Sequence, residues 1–150
     1  MVEDDARLRR ITADGLRTRG YRTLDAAGAA EALDHLERSE VDLLLSDVHM
    51  PGEMDGLALA FVARQHWPQI PVVLLSGHLN PETTRIPNRA TFLRKPCSLA
   101  RLVTVLDHEL HTQCRQGSTI ISDVVGLVRQ PAMEMDGIAN GGMSAEVKRG

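Results

Sequence analysis

The spacing of hydrophobic positions changes several times along the first 112 residues, and each change marks an element. In ARLRRITADGLRTRG (6–20) apolar residues fall at Leu8, Ile11 and Leu16, which suits one side of a helix that Gly20 can end. YRTLDAA (21–27) reads as a short strand. AAEALDHLER (29–38) places Ala29, Ala32, Leu33 and Leu36 on one helical face. VDLLLS (41–46) is then a near-continuous apolar run of strand length. Strands covered on both faces, as in parallel sheets, have this composition. LALAFVARQH (57–66) predicts a helix that Pro68 closes, IPVVLLS (70–76) a second buried-type strand, and TFLRK (91–95) a short one. SLARLVTVLDHELH (98–111) predicts a last helix, with Ser98 as its N-cap and Leu99, Leu102, Val103, Leu106 and Leu110 on one face.

Strands therefore alternate with helices, which predicts an α/β fold with a parallel sheet and right-handed crossovers. Functional crevices in such sheets lie beyond the carboxyl ends of the strands. Polar residues stand at those ends: Glu3 and Asp4 after a short first strand, Asp47 after the apolar run, Ser76 in LLSGH and Lys95 in FLRKP. If the strands are neighbours, these side chains converge. Three carboxylates close together repel one another and favour a hard divalent cation such as Mg²⁺, which takes oxygen ligands. A carboxylate can also attack phosphorus and become an aspartyl phosphate. Lys95 and the metal would neutralise charge on the transferring oxygens, and the Ser76 hydroxyl can hydrogen-bond the group that arrives.

Composition narrows the picture without redirecting it. At 150 residues, 43% hydrophobic and 25% charged, the chain has an ordinary globular make-up and can bury a core. A net charge of −3 gives no bulk signal for nucleic acid or a membrane surface. Cys97 and Cys114 form no CxxC and no disulfide framework. No apolar run reaches membrane-spanning length, and the charged MVEDDARLRR start is not a secretory signal, so the expected setting is cytoplasmic. Residues 113–150 lose the periodicity and are expected to be a flexible tail with a short apolar segment at 118–128.

VEDD (2–5), LLLSDVHMPGEMDG (43–56), VVLLSGH (72–78) and FLRKP (92–96) together resemble the response-regulator receiver domain of bacterial two-component signalling. The resemblance spans residues 1–112, and the short stretch between Ser76 and Lys95 is similar to receivers associated with hybrid histidine kinases. It implies a flavodoxin-like, doubly wound, five-stranded parallel sheet of order 2-1-3-4-5 with a shortened fourth helix. It also implies that Asp47 is the phosphoacceptor, that Glu3, Asp4, Asp47 and the His49 carbonyl hold Mg²⁺, and that Lys95 pairs with the phosphoryl group across a cis Lys95–Pro96 bond. Ser76 and Phe92 become the switch pair, and His49 and His78 border the phosphoryl group and influence its lifetime. The implied donor is a sensor histidine kinase or a histidine phosphotransfer protein. The implied output is contact with a further protein, or service as a phosphate sink, with no nucleic-acid or membrane contact. Such a domain is no enzyme beyond its own phosphorylation and dephosphorylation.

Several features depart from the common pattern. The chain begins three residues before Asp4, which leaves a short first strand. MPGEMDG is one residue longer than the usual turn, and Pro81 and Pro87 bracket the shortened helix. A receiver-like interaction module that does not phosphorylate is the alternative from another class. A haloacid-dehalogenase-like phosphohydrolase would need a second Asp at position 49, where His stands. Plainer readings exist too: Glu3 and Asp4 as helix-dipole partners, Phe92 as core, and Arg7, Arg9, Arg10, Arg17 and Arg19 as a solvated face or a contact for an acidic partner. His108, His111 and Cys114 would offer metal ligands without an evident fourth.

Overall fold

The computed structural model describes residues 1–78 and 84–114. Helix α1 (Ala6–Arg17) starts where Asp5 accepts the Arg7 and Leu8 main-chain N–H groups at 2.8 and 3.0 Å. That satisfies two of the donors a helix start leaves free. Helix α2 (Ala29–Arg38) follows Gly28. Asp55 caps α3 (Gly56–His66) by accepting the Ala58 N–H at 2.8 Å. Ser98 caps α4 (Leu99–Cys114) through Arg101 N–H at 3.2 Å, in the role the sequence gives it.

Strands β1 (Leu44–Asp47), β2 (Val72–Ser76) and β3 (Ala90–Arg94) pair side by side in that order, all parallel. Successive side chains point to opposite faces. Leu44, Val72 and Leu74 therefore pack with α2 and α3 residues such as Leu36 and Leu59. Leu43, Leu45, Val73 and Leu75 pack with Leu16 of α1 and Leu102 and Leu106 of α4. Both faces are covered, which is why the strand sequences read as unbroken apolar runs. Two side-chain bonds secure α4: Tyr21 donates to Asp107 at 2.5 Å and Thr91 to Glu109 at 2.6 Å.

Among the described residues the expected five-stranded ladder is corrected to three strands and isolated one-residue bridges. Val2 bridges Ser46 on one side and Ala26 on the other, both in parallel, so the neighbour order is as expected while the first two strands are reduced to points. YRTLDAA is accordingly not a continuous strand: within it only Tyr21 and Ala26 are bridge residues. Arg17 draws this segment toward α1 by donating to Thr23 O at 3.4 Å and to the Asp25 carboxylate at 2.7 Å. On the other side Glu3 passes at once into the Asp5 cap.

The apolar side of α1 also differs from expectation. Leu16 and Ala13 are buried, whereas Leu8 and Ile11 are 40% and 58% exposed. Between β2 and β3 the described residues contain no helix, and residues 79–83, where the shortened fourth helix is expected, lie outside them. The tail and its apolar segment at 118–128 also lie outside the described residues. His108 and His111 are exposed on α4 and the Cys114 side chain is not described; among the described residues no metal-ligating group includes either histidine.

Candidate functional site

Asp47 is the last residue of β1 and only 7% exposed. Its position follows from β1 pairing with Val2 and β2: Asp47 N–H donates to Val2 O and Val48 N–H to Leu75 O, both at 2.9 Å. Glu3 comes from the other side of the same edge and is 2% exposed. Lys95, just past β3, joins the two. Its ammonium lies 2.8 Å from Asp47 Oδ2 and 2.9 Å from Glu3 Oε2. Lys95 N–H also donates to Ser76 O at 2.9 Å, which sets its height against β2. The Lys95–Pro96 peptide is cis.

Asp4 is exposed and completes the group. One carboxylate oxygen from each of Glu3, Asp4 and Asp47 lies within 4.8 Å of the others. When ionised, three carboxylates against one ammonium leave two negative charges, which one divalent cation balances. The donors are all hard oxygens, the set that Mg²⁺ prefers. Burial pushes the Glu3 carboxyl above its ordinary pKa; its bond to Lys95 opposes this and the Asp47 charge adds to it. Burial alone would lower Lys95, but the hydrogen bonds it donates to Asp47 and Glu3 outweigh it and raise the ammonium above its ordinary value.

Of the other predicted positions, Ser76, His49 and His78 border this group, whereas Phe92 does not. Ser76 ends β2 and is wholly buried. His49 N–H donates to Asp47 Oδ1 at 3.3 Å, and His49 Nδ1 lies 3.2 Å from Ser76 Oγ. His78 N–H donates to Ser76 Oγ at 3.3 Å, and its ring meets that of His49 edge-on with centroids 6.0 Å apart. Phe92 pairs in register with Leu74 and packs, half-buried, against the α2–α3 core, well within β3.

Three features escape a reading of the sequence. Arg9 donates to the main-chain carbonyls of Glu3 and Asp4, holding the acidic pair from inside α1. Within VEDD the capping role belongs to Asp5, so Glu3 and Asp4 are left for the site. A groove of about 800 Å³ opens beside Asp47 and Lys95, with Leu8 and Ile11 on one wall and Leu99 and Leu102 on the other. The exposed Leu8 and Ile11 are the only signal for it, and helical periodicity alone reads them as core.

Comparisons with known proteins agree with this geometry. Residues 1–107 match the response regulator receiver domain. The chain is 33% identical over 114 residues to the response regulator receiver protein CpdR of Brucella abortus, covering 73% of this chain and 93% of that one. It is 38% identical over 118 residues to the sensor kinase CckA of the same species, covering 75% of this chain and 12% of the kinase. Against NtrC of Klebsiella pneumoniae the identity is 31% over 144 residues, 89% of this chain and 30% of that one. The chain thus spans a minor part of the last two. Among solved structures, the CheY-like receiver domain protein of Methanospirillum hungatei superposes with a TM-score of 0.69 at 26% identity, covering 77% of this chain and 94% of that one. The receiver domain of the hybrid histidine kinase CckA gives 0.62 at 37% identity, covering 73% and 94%.

Proposed function

Because the chain belongs to the response regulator receiver domain family, we propose that it accepts a phosphoryl group on Asp47 from a phosphohistidine of a sensor histidine kinase or a histidine phosphotransfer protein. The observation that carries this reading is the Lys95 ammonium bonded to both Glu3 and Asp47 at the carboxyl end of β1. In the reaction a carboxylate oxygen of Asp47 attacks phosphorus. The O–P bond forms as the donor's P–N bond breaks, and the imidazole leaves with the electron pair. Lys95 then turns from the carboxylate to a phosphoryl oxygen, where its charge offsets the charge spread over the transferring group. Ser76 lies on the neighbouring strand, ready to donate its hydroxyl to the same group.

Glu3, Asp4, Asp47 and the His49 carbonyl would hold Mg²⁺. When bound, the ion supplies positive charge for the transferring oxygens. The chain's own part is to hold those oxygens together, which the Arg9 contacts and the Val2 bridges do. The alternative of a phosphorylation-silent module rested on the short first strand. One bridge residue nevertheless suffices to keep Glu3 buried and bonded to Lys95, which favours the working acceptor. Phosphorylation adds charge at a strand end and biases the protein-binding surface, with Ser76 and Phe92 as the moving pair; otherwise the domain serves as a phosphate sink. The setting is the cytoplasm, where the kinases' donor domains lie. Among the described residues no helix is long and apolar enough to cross a membrane.

The test is direct. With acetyl phosphate and Mg²⁺, the intact protein is expected to gain the mass of one phosphoryl group, while Asp47→Ala gains none. No gain in the wild type, under conditions that label another receiver, would leave a binding module only.

A donor histidine must reach Asp47 through the groove beside it. Leu8 and Ile11 offer apolar contact on α1, with Arg7 and Arg10 exposed on the same helix for an acidic partner. Ile11→Asp is expected to lower transfer from a phosphorylated histidine phosphotransfer protein by roughly 10-fold relative to labelling by acetyl phosphate. Parallel rate measurements with the two donors check this, and an unchanged ratio would move the docking face elsewhere.

A further inference from the structure

Helix α3 is apolar on every side along its first two turns: GLALAFV (56–62) carries no charged or hydrogen-bonding side chain. Helices of that composition are normally covered all round. Here the described elements cover one side. Leu59, Ala60 and Ala63 are buried in the core beneath α3, and Leu57 packs against it. Ala58 and Phe61 face outward, with Phe61 38% exposed. The other large exposed hydrophobics among the described residues, Leu8 and Ile11, line the groove beside Asp47; Phe61 does not.

The surface on the two sides of α3 carries opposite charge. Helix α2 packs beside α3, and residues 29–42 hold five carboxylates, Glu31, Asp34, Glu37, Glu40 and Asp42, with Arg38 as the one Lys or Arg. On the other side, residues 84–94 lead into and form the edge strand β3, and they hold Arg85, Arg89 and Arg94 with no carboxylate. Arg85 lies over the Phe61 ring, 6.0 Å from its centroid, and Arg64 ties the segment to α3 by donating to Asn88 O at 3.1 Å. An acidic strip, an apolar centre and a basic strip thus lie side by side.

That order is self-complementary. A two-fold axis running along α3 lays the acidic strip of each copy over the basic strip of the other, twice, as an isologous interface requires. An axis across α3 would lay like charge on like. A nucleic acid would meet the arginines but be repelled by the carboxylates beside them, whereas a second copy satisfies both strips. We propose that two copies of this chain pair through this face, about an axis running along α3. Phe61 packs at the axis, and Arg85 and Arg94 of each copy stand against the acidic α2 of the other. The face is about one helix wide, smaller than permanent dimer interfaces, so the pairing is reversible. It goes beyond the phosphoacceptor reading and does not depend on it.

Sedimentation velocity of the full chain from about 10 μM to about 1 mM tests this. A monomer–dimer equilibrium is expected, weakened by raised salt. Phe61→Ser, an exposed position, is expected to weaken it by about 10-fold or more. Arg85→Glu with Arg94→Glu, and separately Asp34→Lys with Glu37→Lys, are each expected to give monomers. All of these changes are on the surface, and melting temperatures near that of the wild type confirm that each variant folds. An equimolar mixture of the two charge-reversed proteins is expected to dimerise again, because each reversed strip then meets its opposite. Monomer throughout the wild-type series overturns the proposal, as does a dimer that Phe61→Ser leaves intact. A mixture that stays monomeric overturns it too, and species that keep growing with concentration overturn the two-fold arrangement.

Discussion

Lys95→Met is expected to slow labelling by acetyl phosphate by about 100-fold or more, and to make the stability of the metal-free protein depend on pH. The ammonium is the counter-charge that Glu3 and Asp47 share at 2.9 and 2.8 Å. Methionine fills much of the space and leaves two mostly buried carboxylates facing each other. Removing one partner of a buried ion pair is destabilising because the remaining charge is uncompensated. The sign of the pH effect follows from both groups. The raised pKa of Lys95 means its contribution is fully present at neutral pH and lost only as pH rises through the folded-state value, so neutral pH is where its removal is felt. Glu3 already sits above its ordinary pKa through burial, and the loss of Lys95 raises it further. A carboxyl raised in the folded state binds its proton more tightly there. The variant is therefore most stable at acid pH and loses stability as pH rises through the Glu3 titration. Mg²⁺ is expected to restore part of that loss at neutral pH by mass action. Thermal melts across pH, with and without Mg²⁺, and labelling rates by intact mass check both halves. A flat pH profile, or labelling at the wild-type rate, would remove Lys95 from the role assigned to it.

Gly56→Ala is expected to destabilise the fold by about 3 kcal/mol or more, lowering the melting temperature by roughly 10 °C or beyond. The first residue of α3 lies against the end of β1. A Cβ there would stand 1.7 Å from the Asp47 carbonyl oxygen and 2.8 Å from Ser46 Oγ. The first is a covalent distance, so α3 must move off the strand. That movement breaks the 2.9 Å bond from Gly56 N–H to Val48 O and shifts Asp47 itself. Labelling at Asp47 is expected to fall with stability. Gly28→Ser serves as the comparison: a Cβ at Gly28 meets nothing within 4 Å, its backbone is extended, and serine would supply the missing N-cap bond of α2. That variant is expected to change stability by less than about 1 kcal/mol. Similar melting temperatures for the two variants would refute the close approach.

Much of the fold is legible in the sequence, for a local reason. Helix α2 is found over the span its periodicity predicts, and Ser98 caps α4, because a helical face and an N-cap depend on residues within about four positions of each other. The runs VDLLLS and IPVVLLS identify the central strands because both of their faces are covered. The two misread segments fail for a complementary reason. YRTLDAA has strand-like composition, but Arg17 and Asp25 hold it elsewhere, and only Ala26 reaches Val2. Leu8 and Ile11 share the α1 periodicity, but none of the described elements covers them, so they line a groove instead of a core.

The sequence by itself determined the alternation of strands and helices, the polar residues at strand ends, and the family those residues resemble. These are properties of short stretches and of fixed spacings. Only the tertiary structure decided which of those residues meet. Lys95 touches Glu3 across 92 positions and Asp47 across 48, and His49 meets Ser76 across 27. Such contacts depend on how β1, β2 and β3 stack in register and how tightly α3 approaches β1. No local pattern encodes those distances, because they arise from packing both faces of one sheet at once.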